Sequence, residues 1–317
     1  MMKRVWIVAV LFSLLLPTWA LAQIPMEGLI TSSLPSLPGI SLGQVKLKPF
    51  VQIGFQRMGS NLNLPVEAER LLPFIGAIQI DNMDITLKDA NFWSGTAGVN
   101  VTAGELFSVF AAGGGILPRT FAISGEMPVS AGPLVAVPVL DFTSTNAESW
   151  FVQVGAGLGP FIGGMYWDHF IFEISDPRIG SVPLANQTLR GDTITKSACP
   201  FFGIVIPASG ATATIIYSPW AWSNTVVALR SSQNRQTELK YSWNKPGDFV
   251  SASFQYNTAL LSSSSFGLWA NGMWMRVVGD AELEFENSAP AISTSKDVTA
   301  TMTKYVLGGG ITLGIQF

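Results

Sequence analysis

The sequence is poor in the residues that enzymes and secreted scaffolds most often rely on. Of its 317 residues, one is cysteine and one is histidine. Cys199 has no partner in the chain, so no intrachain disulfide can form and an exported form must be stabilised by other means. Beside Pro200 it reads as a small buried residue rather than a nucleophile. A single cysteine and a single histidine offer no recognisable metal-ligand spacing, so no metal site and no cofactor is expected. Charged residues make up only 12% of the chain, about half the share usual in soluble proteins. The formal net charge of −3 provides no electrostatic footprint for nucleic acid, which is not expected as a partner.

Long hydrophobic runs are also missing beyond the amino terminus. The richest stretch, from Leu106 to Phe142, is interrupted by Gly113, Gly114, Gly115, Pro118, Arg119, Glu126, Pro128, Pro133 and Pro138. A membrane helix needs about eighteen or more consecutive apolar residues. Yet 48% of the chain is hydrophobic. Such a chain is either a large soluble β-domain that buries its apolar strand faces against each other, or a barrel whose apolar face meets lipid. Hydrocarbon satisfies no backbone hydrogen bonds, so a sheet enters it only when closed.

What is present favours the barrel. In the final thirteen residues Tyr305, Leu307, Gly309, Ile311, Leu313, Ile315 and Phe317 alternate with Val306, Gly308, Gly310, Thr312, Gly314 and Gln316. Side chains alternate across a strand, so one face is apolar and the other small or neutral polar. A soluble protein seldom ends on an uncharged apolar strand, whereas a closing barrel strand does so routinely. At the other end Lys3 and Arg4 precede an apolar stretch, Val5 to Leu16, followed by Pro17 and Ala20-Leu21-Ala22. This pattern predicts a secretory signal cleaved after Ala22, and Gln23 in place of cysteine argues against a lipid anchor.

The expected organisation is a signal peptide over 1–22, a Pro/Ser-rich lead segment over 23–44 and a transmembrane β-barrel over 45–317. Alternation recurs around Val45–Gln56, Met83–Lys88, Ala97–Thr102, Trp150–Leu158, Val250–Asn257, Ala281–Glu286 and Val298–Thr303. A spacing of about twenty residues predicts an all-β, closed antiparallel barrel of about twelve strands, with fourteen as the alternative. Between Asn61 and Pro73 the sequence predicts a short helix starting at Pro65, carrying Glu67 and Glu69 in its first turns. Phe92, Trp93, Trp220, Trp222, Tyr241, Trp243, Trp269 and Trp274 are expected near strand ends, where aromatic rings favour a membrane boundary. The glycine triplets Gly113–Gly115 and Gly308–Gly310 lack a following nucleotide-loop Lys-Ser/Thr and read as sites of curvature or close packing.

With its export signal, repeated short amphipathic strands and closing run, the chain resembles bacterial outer-membrane β-barrel proteins as a class. In that class a terminal aromatic preceded by alternating apolar residues is recognised by the barrel-assembly machinery. The resemblance assigns that role to Tyr305, Ile311, Leu313, Ile315 and Phe317, with Gly309 departing from the pattern. It implies residence in the cell outer membrane, with outer-membrane lipid and the assembly machinery as partners.

Three functions are compatible with this architecture. The first is a channel or passive transporter for small solutes. Its lumen would be lined by neutral side chains including Gln52, Gln153, Gln255 and Asn257. An acidic ladder, Glu282, Glu284 and Glu286, would also face the lumen, with Arg276 available to pair with it. The second is a non-conducting structural or ligand-binding barrel that presents loops outward. The third is a barrel enzyme using His169. Asp168 adjoins that histidine, but neighbouring strand residues point to opposite faces, so no catalytic residue is assigned.

Overall fold

The computed structural model describes residues 45–68, 78–104, 106–117, 121–126, 129–131, 134–136, 139–144, 147–179, 182–183, 190–230, 236–261, 264–288 and 291–315. The signal peptide, the lead segment and Phe317 lie outside them. Every regular element among these residues is a strand. They are β1 (Val45–Ala68), β2 (Ile78–Ala103), β3 (Phe107–Ile116), β4 (Phe121–Glu126), β5 (Val129–Ala131), β6 (Leu134–Ala136), β7 (Val139–Ser144), β8 (Ala147–Leu158), β9 (Phe161–Ile179), β10 (Val182–Pro183), β11 (Arg190–Ala208), β12 (Ala211–Arg230), β13 (Gln236–Trp243), β14 (Gly247–Leu261), β15 (Ser264–Ser288) and β16 (Ala291–Ile315).

All pairings are antiparallel and the sheet closes on itself. Twelve strands lie along one path of hydrogen-bonded neighbours, β1-β16-β15-β13-β12-β11-β9-β7-β4-β2-β3-β8, the number the sequence spacing predicts. Closure comes from β1, which pairs with β16 on one side and β2 on the other, and from β8, which pairs with both β3 and β9. Three pairs of strands, β3 with β4, β7 with β8 and β13 with β14, run end to end, so the lower wall is the circuit of ten strands β1-β2-β3-β8-β9-β11-β12-β14-β15-β16. Such closure leaves no open edge in the lower wall.

At the end where β1 begins and β16 finishes, the connections are tight. Gly159 and Gly210 occupy two-residue turns with φ of 58° and 73°, a left-handed conformation open to glycine at little cost. At the far end the strands run on for many residues. Here β1 continues to Ala68, so the helix expected from Pro65 is not formed over the described part of that segment. Pairing overrides the local signal. Leu62 and Leu64 are buried, and Asn63 donates from Nδ2 to Asp84 Oδ1 across the β1–β2 pair at 2.5 Å. Pro65 lies past Asn63, the last β1 residue paired with β16, where one side of the strand is an edge that tolerates its missing N–H.

The wall has two zones. In the lower zone the outward residues are apolar and exposed: Val51, Ile53 and Phe55 on β1, Val152, Val154 and Leu158 on β8, Phe202, Ile204 and Ile206 on β11, and Leu307, Ile311, Leu313 and Ile315 on β16. This belt changes character at one level. On the same outward face, Phe55 gives way to Arg57, Trp93 to Asn91, Trp167 to His169, Trp222 to Asn224, Trp274 to Arg276 and Tyr305 to Thr303. From Tyr305 to Ile315 the strand has the length a tilted transmembrane strand requires, about nine to eleven residues. Trp93, Trp222 and Trp274 take girdle positions, joined by Trp150 and Trp167, as rings with one apolar and one wet side do. Tyr241, Trp243 and Trp269, also expected there, are instead buried in the interior.

Above that level the faces reverse their chemistry. The inward residues are now apolar and the outward ones polar, as in a water-soluble barrel. Met58, Leu62, Leu64, Ile85, Leu87, Phe92, Phe170, Phe172, Leu239, Tyr241, Trp243, Val277, Leu283, Ala300 and Met302 belong to one buried cluster.

Candidate functional site

Contacts between strands that are not neighbours in the wall establish which face is the inside. Tyr241 on β13 donates its hydroxyl to the Pro65 carbonyl on β1 at 3.1 Å. Tyr166 on β9 stacks on Phe249 on β14, with ring centroids 5.0 Å apart. Phe110 on β3 approaches Phe201 on β11 at 6.4 Å. The Ser223 hydroxyl on β12 reaches Met302 Sδ on β16 at 3.4 Å. Each contact spans the lumen, so the interior is occupied by its own side chains at and above the aromatic girdle, and the Phe110–Phe201 contact extends that packing below it.

Within this packing lies a buried ion pair. Lys304 on β16 donates from Nζ to Asp168 Oδ2 on β9 at 2.5 Å, and its ammonium lies 5.2 Å from the centre of the Phe170 ring. Both side chains are almost fully buried, 3% and 1% exposed. Removing two ions from water is costly, and only direct pairing in the low-dielectric interior offsets it. The pair therefore acts as a clasp between two non-adjacent stretches of wall. Hydroxyls close to it are also satisfied: Thr195 with Thr225 at 3.2 Å and Ser197 with Ser223 at 3.3 Å. Cys199, beside the pair, is a free, fully buried thiol.

Below the clasp the lumen is wetter. Gln52, Gln153, Gln255 and Asn257 are half-buried and lie on the inward face, with Gln255 Nε2 donating to Asn257 Oδ1 at 3.1 Å. Gly54 of β1 makes room on this wall. The Trp269 ring lies over Gly54, where an added Cβ would come within 2.7 Å of it, and its indole N–H donates to the Ile311 carbonyl at 3.0 Å.

The acidic ladder is not on the lumen side. Glu282, Glu284 and Glu286 are exposed and alternate with buried Ala281 and Leu283. Leu283 pairs with Tyr241, whose side chain crosses the interior, so the carboxylates face outward. They lie above the belt, where hydrocarbon no longer covers the wall. The physical reason is that a period of two specifies two faces without saying which is inside. Lys240 is the cross-strand partner of Glu284 and lies 2.9 Å from Glu286, 4.0 Å from Glu284 and 3.9 Å from Glu238. The Glu286 hydrogen bond, reinforced by the other carboxylates, raises the Lys240 pKa above its ordinary value. Exposed ion pairs add little stability, so Lys240→Gln should leave the thermal unfolding of the detergent-solubilised barrel unchanged within error. Arg276 is also exposed on the outer face, at the girdle.

His169 and Asp168 point to opposite sides of the wall, Asp168 into the clasp and His169 outward against Trp150, with ring centroids 5.1 Å apart. No group of three His, Cys, Asp or Glu residues among the described residues could hold a metal ion. Tyr305, Ile311, Leu313 and Ile315 all lie on the outward face of β16. Sequence reasoning missed the clasp. A lone lysine between Thr303 and Tyr305, on a face otherwise filled by Met302 and Val306, was its only visible trace.

No family model matches the sequence, and no curated protein does. Among solved structures, the outer membrane protease OmpT from Escherichia coli aligns over 86% of this chain and 97% of its own, with a TM-score of 0.62 at 11% identity. The outer membrane protein OprG from Pseudomonas aeruginosa aligns over 88% of this chain and 99% of its own at 10% identity, but with a TM-score of only 0.29. At this level of identity the first similarity is one of fold. The chain has the architecture of the bacterial outer-membrane β-barrels.

Proposed function

We propose that this outer-membrane barrel is non-conducting, and that it anchors an extracellular β-wall for structural or binding roles. The observation that carries this reading is the interior packing above the girdle: Tyr241, Phe92, Phe170, Phe172, Met58, Leu62 and Leu64 are each 2% exposed or less, Tyr241 reaches the Pro65 carbonyl across the lumen, and the Phe170 ring meets Lys304 of β16. An ion or sugar crossing the membrane needs a continuous wet path, and a close-packed apolar interior provides none. Short turns at the end where β1 begins and β16 finishes match the periplasmic side of such barrels, and the extended strands match the cell exterior. The wall above the belt is then a rigid, solvated surface on which loops can present binding groups.

Passive transport of small solutes is the competing reading, supported by the neutral lining of Gln52, Gln153, Gln255 and Asn257 in the lower lumen. A His169 enzyme gains no support from a histidine that faces away from its neighbouring carboxylate. Liposome swelling separates the first two. Vesicles containing the wild-type barrel should admit small neutral sugars no faster than protein-free vesicles. The variant Phe170→Ala/Tyr241→Ala/Met302→Ala, once shown to be folded by its heat-dependent gel migration, should admit them measurably faster. Rapid swelling with the wild-type protein would refute the proposal.

A further inference from the structure

The outer wall carries a notch at the girdle that neither the closed interior nor the fold explains. Strand register builds it. Trp150, His169, Lys196 and Asn224 are successive cross-strand partners on β8, β9, β11 and β12. One outward row lower, Trp167, Ala198 and Trp222 are likewise partners. The small Ala198 between two indoles leaves a depression of about 430 Å³ lined by these residues. Lys196 is exposed and makes no ion pair among the described residues, unlike Lys240 higher on the wall with its three carboxylates. Both ring nitrogens of His169 are buried without a hydrogen-bond partner. Glu148 stands one row higher on β8, beside Ile171. The notch thus combines an unpaired ammonium, an unsatisfied imidazole and an amide, above a floor of indole rings.

We infer that this notch holds the phosphate of a membrane lipid headgroup. Its height is the argument for a lipid rather than a dissolved anion. It opens where the apolar belt ends, directly above the outward Phe202, Ile204 and Ile206 of β11, along which acyl chains would lie. A phosphate there meets Lys196 as its counter-charge, with His169 and Asn224 as donors, while Trp150, Trp167 and Trp222 flank the glycerol or sugar to which it is joined. A basic side chain near a membrane surface strengthens binding of an anionic lipid by roughly fivefold.

The proposal does not depend on whether the barrel conducts. It is tested in neutral-detergent micelles with lipids brominated on their acyl chains, which quench indole fluorescence on contact. Brominated phosphatidic acid should reach half-maximal quenching at roughly fivefold lower concentration than brominated phosphatidylcholine. Lys196→Gln should abolish that preference, Lys196→Arg should keep it, and Lys240→Gln, one row higher, should leave it intact. The Arg variant guards against a fold defect in the Gln variant. Equal quenching by the two lipids, or a preference that survives in Lys196→Gln, would overturn the inference. So would protection by inorganic phosphate as effective as that by unbrominated phosphatidic acid, which would make the notch a site for a free anion.

Discussion

Replacing Lys304 by methionine should destabilise the barrel by about 3–5 kcal/mol, the cost of leaving a buried carboxylate without its partner. The loss would appear as a lower urea midpoint for unfolding in detergent. Asp168, on β9, is 1% exposed, and no other cation is recorded beside it among the described residues. Water cannot readily rescue the stranded charge, because both side chains of the pair are almost fully buried and the Phe170 ring lies against the pair. The double variant Lys304→Met/Asp168→Leu should recover most of the loss, because a well-packed apolar pair of similar volume is often as stable as a buried ion pair. A single variant as stable as the wild type would mean that the clasp is hydrated and the lumen open at that height.

The second large effect concerns the outer face of one strand. Ile311 and Thr301 both point outward on β16, on either side of Tyr305. Ile311 is six residues below the girdle, roughly 15 Å along the membrane normal for a tilted strand, and so near the middle of a belt about 25 Å tall. Arginine at Ile311 should cost about 2–4 kcal/mol. Arginine at Thr301, above the belt, should change stability by no more than about 0.5 kcal/mol. Reversible unfolding of the two variants from lipid vesicles gives the comparison. Equal penalties would place the membrane boundary elsewhere on the wall.

These two substitutions also mark what the sequence could and could not convey. The outward face from Tyr305 to Ile315 was readable because a lipid-covered surface must be apolar at every second residue over the whole membrane height. The same rule separated Asp168 from His169 by strand parity alone. Above the girdle the alternation continues, but its meaning inverts. Ala281 and Leu283 look like a lipid face and Glu282 and Glu284 like a lumen face, yet water covers the carboxylates and the apolar side chains fill the interior. Only a contact across the lumen, such as Tyr241 with Pro65, reveals the direction, and no local pattern encodes a contact between residues 176 positions apart. The clasp was invisible for the same reason: its partners are separated by 136 residues. At Pro65 the local helix signal lost to cross-strand pairing with β2.

Cysteine labelling tests most directly whether the upper interior is packed and dry. In a Cys199→Ala background, Leu283→Cys and Glu284→Cys differ by one residue and point to opposite sides of the wall. A membrane-impermeant maleimide should modify Glu284→Cys as fast as a free thiol, and should leave Leu283→Cys unmodified until the barrel is unfolded. Equally rapid modification of both would mean a water-filled lumen at that height, and the closed-barrel account would be wrong.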